Sequence, residues 1–187
     1  MQFLRYIFIF VCFSLQAAEQ SPNIFTFCAT GEKVVDQSIE AVGALFSGLL
    51  DPVPLFLKRV ACVESHYGEH KATFRPDYFG GIWQLDVKGF RETQRVLAHP
   101  SLRKLHKRLA LKLKTFSSSP MLPWTRMNWE SCLIPLYSCI GARLFLALIP
   151  AKIPDTLSTQ AAYWKKHYNT EEGAGTEDQF REMETID

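Results

Sequence analysis

Apolar residues recur every three to four positions over most of this chain, the spacing that gives a helix one buried stripe. The pattern predicts helices over residues 34–50, 54–66, 87–97, 101–114, 135–149 and 156–168. Breakers fall between them. Asp51-Pro52-Val53-Pro54 opens the second helix with proline in its first turn, residues 117–123 form a loop, and residues 150–154 carry two prolines between the fifth and sixth helices. Thr176 with Gln179 three residues on has the form of a capping box for a short last helix. Only residues 79–85 read as extended, and Gly80-Gly81 there makes the segment a hairpin or a loop, not a sheet strand. The expected architecture is mainly α (α+β), a single domain with a short β-hairpin or loop beside the second helix.

Composition narrows the class. With 47% hydrophobic and 21% charged residues in 187, the chain can bury a core, which excludes disordered, collagenous and coiled-coil readings. A formal net charge of +2 is too small to mark a nucleic-acid binder. The charge is unevenly placed, however. Arg103, Lys104, Lys107, Arg108, Lys112 and Lys114 share one predicted helix with Leu102, Leu105, Leu109 and Leu113 on its other face. Such a cationic stripe, Arg103 to Lys114, is either a solvated surface or a contact for anionic cell walls or membranes. Residues 171–187 hold seven acids against Arg181 alone.

The first residues place Arg5 before an apolar run that closes on Gln16-Ala17-Ala18. This has the form of a secretory signal peptide over residues 1–18, leaving a mature chain over 19–187 and a secreted protein. The apolar run is too short to span a bilayer, and no later uncharged stretch is long enough. Cys12 would leave with the leader. Cys28, Cys62, Cys132 and Cys139 remain, an even set in an oxidising compartment, so up to two disulfides are expected, with buried thiols as the alternative.

The chemistry concentrates in two runs, 61–68 (ACVESHYG) and 77–86 (DYFGGIWQLD). Glu64 ends an apolar helix, where a desolvated carboxyl holds its proton to higher pH, as a general acid must. Gly80 and Gly81 leave the backbone open to a bulky polymer. The same region carries H-x-x-E-H in His66, Glu69 and His70, the pattern of a zinc peptidase, although Gly68 falls inside the helix that pattern requires.

Glu64-Ser65-His66 with Gly68, followed by Gly81-Ile82-Trp83-Gln84-Leu85-Asp86, is similar to the E-S-H-x-G and G-L-M-Q-V-D elements of goose-type lysozymes and to the E-S…G-L-M-Q signature of lytic transglycosylases. The tight match covers about 25 residues. The resemblance implies a lysozyme-like domain that cuts the β-1,4 link between N-acetylmuramic acid and N-acetylglucosamine in peptidoglycan, with Glu64 as catalytic acid and no cofactor or metal. Asp77 and Asp86 fall where that family carries acids near its cleft, and either would serve an inverting hydrolase as the second carboxylate. Ser65, Gly81, Trp83, Gln84 and Tyr137 are the implied substrate-side positions. Two departures stand out. Tyr78 replaces a serine of the transglycosylase pattern, and the A-Y-N-x-G element is missing, with Tyr137 or the Tyr168-Asn169 pair as substitutes. Other roles stay open at this point: Trp83 as a core plug, Asp86 as a helix N-cap, a transglycosylase that needs no base, a monomeric glycan- or membrane-binding protein without activity, or the zinc peptidase.

Overall fold

The computed structural model describes residues 23–116, 122–170 and 173–182, with the side chains of 114–116 outside the description. The expected leader over 1–18, most of the 117–123 loop and the end of the acidic tail lie outside the described residues. Seven α-helices are described: α1 (Glu32–Phe46), α2 (Pro54–Ser65), α3 (Val87–Gln94), α4 (Leu102–Phe116), α5 (Pro135–Leu146), α6 (Leu157–Trp164) and α7 (Glu177–Glu182). Two short 3₁₀ segments, Trp124–Arg126 and Trp129–Leu133, lead into α5. The domain is mainly α. Among the described residues no strand forms, so the hairpin alternative for 79–85 is corrected to a run of turns.

The centre is α5. Eleven of its twelve residues are buried, from Pro135 through Leu146 with only Phe145 partly open, as expected of a helix that is apolar all round. Around it pack α1, α3 and the 3₁₀ turn at Trp129. α1 turns Val34, Val35, Ile39, Val42, Leu45 and Phe46 inward. On α4 the sequence pattern holds: Leu102, Leu105, Leu109 and Leu113 are at most 4% exposed, while Arg103, Lys104, Lys107 and Lys112 face out.

Helix ends follow local chemistry. Pro54 starts α2, where its missing N–H costs nothing. α2 stops at Ser65 because His66 and Tyr67 turn left-handed, with the His66 N–H on the Cys62 carbonyl and the Tyr67 N–H on the Ala61 carbonyl. α6 begins on Thr156, whose hydroxyl accepts from the Thr159 N–H, and ends in a π turn over Lys165–Asn169. The capping box forms as expected: the Thr176 N–H bonds Gln179 Oε1 at 2.9 Å and the Gln179 N–H bonds Thr176 Oγ1 at 3.3 Å.

The disulfide expectation is not met. Cys28, Cys62, Cys132 and Cys139 all stand as thiols, and the last three are buried in the core. Burial pushes these thiols up, so they act as small apolar side chains and are poor nucleophiles.

α7 is short but anchored. Phe180 is fully buried between Phe56, at 6.0 Å, and Trp164, at 5.4 Å between ring centroids. Phe180→Ala is expected to lower unfolding stability by about 3–5 kcal/mol, read from urea transitions. A loss below about 1 kcal/mol would show that α7 does not depend on this ring.

Candidate functional site

Glu64 lies in the last turn of α2, partly open to solvent, with its Oε1 accepting from the Trp164 indole N–H at 2.9 Å. Burial raises the carboxyl from 4.5 to about 7, and the indole bond pulls the other way. Desolvation wins because one N–H replaces only part of the water that an ionised carboxylate would hold. Two phenols share the neighbourhood. Tyr168, placed by the π turn after α6, donates its hydroxyl to the Trp83 carbonyl at 2.8 Å, and Tyr78 donates to the Gln84 carbonyl at 2.7 Å. Burial drives Tyr78 up to about 12, the Arg75 guanidinium 3.5 Å from its ring centroid opposes the rise, and Glu64 and then Asp86 add to it. Both carboxylates therefore lie within electrostatic reach of the Tyr78 phenol. Burial also holds Tyr168 well above an ordinary phenol, with Glu64 contributing.

The run 77–86 is a pinned loop. Gly81 has φ +64°, and a Cβ added there would come within 1.9 Å of the Cys132 carbonyl, so only glycine is accommodated. Ser138 of α5 donates to the Gly80 carbonyl at 3.1 Å and accepts from the Trp83 N–H at 3.2 Å. Trp129 donates to the Leu85 carbonyl at 2.8 Å and receives Tyr78 and Phe79 edge-on. Gln84, itself left-handed, donates to the Gly81 carbonyl at 2.6 Å and accepts from Arg75 at 3.1 Å. Of the six non-glycine residues with positive φ among those described, four fall in this part of the chain: His66, Tyr67, Asp77 and Gln84. Left-handed backbone costs a bulky residue on the order of 1–3 kcal/mol, and such strain collects at functional sites.

The candidate residues divide. Glu64, the glycine loop and Asp86 are brought to one region. Asp86 is the N-cap of α3, accepting from the Gly89 N–H at 2.6 Å. Asp77 is exposed on a left-handed turn. Ser65 is 1% exposed, bonding the Ala61 carbonyl and the Gly68 N–H, so it shapes the turn after α2 and its hydroxyl does not reach solvent. Trp83 is corrected from pocket wall to core plug: its indole is sealed and donates to the Leu57 carbonyl at 2.9 Å. Gly81 is spent on close packing, and Gln84 holds the loop with its side-chain amide. Tyr137 is 9% exposed within the core, and Tyr168 and Tyr78 are the tyrosines within electrostatic reach of Glu64. His66, Glu69 and His70 are exposed on turns beyond the end of α2, so the two histidines do not share the helical face that H-x-x-E-H requires. Trp164, Trp129 and Ser138 were not singled out by the sequence, because residues that bond a site from 44 to 100 positions away leave no local spacing.

No family model, curated protein or solved structure matches the chain.

Two measurements test the Glu64 environment. A folded carboxyl raised above its unfolded value favours the fold fully below about pH 4.5, and that contribution is lost as pH rises through about 7. Glu64→Gln keeps an oxygen for Trp164 but has no proton to lose. It is therefore expected to gain stability over the wild type between pH 4 and pH 8, by up to about 3 kcal/mol. An equal difference at both pH values would refute the raised carboxyl. By carbon-13 NMR, Trp164→Phe is expected to move the Glu64 midpoint higher still, since it removes the indole N–H that holds the ionised form.

Proposed function

We propose that this chain is a peptidoglycan-cleaving glycosidase of lysozyme-like fold, with Glu64 as general acid. One observation carries the reading: a carboxyl that ends an apolar helix, keeps its proton to about pH 7 and adjoins a strained glycine loop. Cleavage of a β-1,4 link needs a proton on the bridging oxygen and stabilisation of an oxocarbenium-like transition state. Glu64 is protonated where that proton is needed and can release it near neutrality. Tyr78 and Tyr168 stay neutral there and leave the carboxyl as the group that titrates. For hydrolysis, Asp86 is the second carboxylate: one oxygen caps α3, and the other remains to position water. Asp77 is the alternative base. Export through residues 1–18 and contact of the α4 cationic face with an anionic wall fit the same role.

A lytic transglycosylase is the second reading, favoured by the commitment of Asp86 to the α3 cap. In that case the C6 hydroxyl of the sugar attacks, no base is required, and the product ends are anhydro-muramoyl.

Purified protein is expected to clear bacterial cell-wall suspensions, and Glu64→Gln to remove at least about 99% of that activity while staying folded. A folded Gln variant with most of its activity would sink the assignment. Activity is expected to survive EDTA. Asp86→Asn isolates the base role, because asparagine caps a helix as well as aspartate does. Hydrolysis through Asp86 predicts roughly 10- to 1000-fold slower turnover and reducing ends in the mass spectrum. Normal turnover with anhydro ends would assign the transglycosylase.

A further inference from the structure

A cavity of about 270 Å³ opens between the C-terminal half of α1, residues 47–54 and the start of α2. None of the candidate glycosidase residues line it. Its walls are apolar, with Ile39, Val42, Phe46 and Leu57 among them, yet the side chain of Arg143 reaches it from α5. Arg143 is 7% exposed. Its Nη2 donates to the Asp51 carbonyl at 2.9 Å, and among the described residues no carboxylate forms an ion pair with it.

A guanidinium carries five N–H donors. Every fully buried side-chain nitrogen among the described residues has a partner, and the cavity that Arg143 lines gives a ligand access to this side chain. Arginine does not shed its charge when buried, and a cation in apolar surroundings gains most from an anion that brings matching acceptors. Glu40 and Asp51, both exposed, also line the opening. Two acids there disfavour a phosphate dianion and leave a single carboxylate, which a guanidinium grips with two parallel bonds. The apolar walls call for a hydrocarbon behind that carboxylate. At the ~30 Å³ that a water-sized group occupies, the cavity has room for roughly nine non-hydrogen atoms.

We propose that this cavity is a binding site for a small monocarboxylate with an apolar tail of about six or seven carbons, its head on Arg143 and its tail along α1.

Octanoate is the probe, titrated calorimetrically into the full chain. The expected result is saturable one-to-one binding with Kd below about 1 mM. Octan-1-ol, which keeps the tail without the charge, should bind at least about tenfold more weakly, and Arg143→Met should weaken octanoate to a similar degree. Gly43→Phe keeps the test decisive if the methionine variant fails to fold. Gly43 lines the cavity, and a Cβ there meets nothing within 4 Å, so a phenyl ring can enter while Arg143 stays in place. This variant should lose octanoate binding and keep wild-type cell-wall clearance. The proposal is overturned by no heat of binding at 5 mM octanoate, by octanol binding as tightly as octanoate, by inorganic phosphate displacing octanoate, or by undiminished binding to Gly43→Phe.

Discussion

A carboxyl group held away from water has to be kept in place by something, and in this chain the Trp164 indole does it. One N–H reaches Glu64 at 2.9 Å, and the same ring lies on Phe180, which in turn lies on Phe56 of α2. Helix α2 thus meets α6 and α7, far later in the sequence, around one side chain. A bond to a charged group contributes about 1.5–3 kcal/mol, less than the desolvation of an ionised carboxylate costs. The balance is settled by the proton. Glu64 stays neutral up to about pH 7 and gives up its proton only where the imbalance becomes affordable.

The loop beside it obeys the opposite logic, in which bonding overrides conformational preference. Gln84 is left-handed against its intrinsic tendency because its side chain closes onto the Gly81 carbonyl, while its own carbonyl takes the Tyr78 hydroxyl. Ser138 grips both Gly80 and Trp83 from the central helix. A loop so over-determined holds its shape without a sheet. That is why a segment whose residues favour extended backbone contains no strand, and why its polar side chains are occupied with the chain itself.

The helices were legible because each rests on local periodicity and caps. Pro54, Thr156 and the Thr176–Gln179 pair act within one turn of themselves, and the leucines of α4 are buried as their spacing demanded. Glu64 was legible for the same reason, as the acid at the end of an apolar helix. Less could be read where partners are remote. Trp83 looks like a pocket wall until the Leu57 carbonyl is found at its indole, and Asp86 looks as much like a base as the cap it forms. The cysteines took the alternative of buried thiols, because an even count constrains nothing unless the thiols meet, and three of the four are sealed in the core as thiols.

α5 ties these features together. Ser138 and Arg143 are five residues apart, about 7.5 Å along its axis, so one buried helix braces the glycine loop and also delivers a cation to the α1 cavity. Glu64 and Arg143, two buried ionisable groups, then resolve their desolvation by different routes. Glu64 can become neutral, which makes it a proton donor. Arg143 cannot, since burial lowers its pKa but not far enough to discharge a guanidinium. It must be satisfied by acceptors, and the Asp51 carbonyl supplies one where five donors are present. A group that can discard its charge suits chemistry, and one that cannot suits recognition.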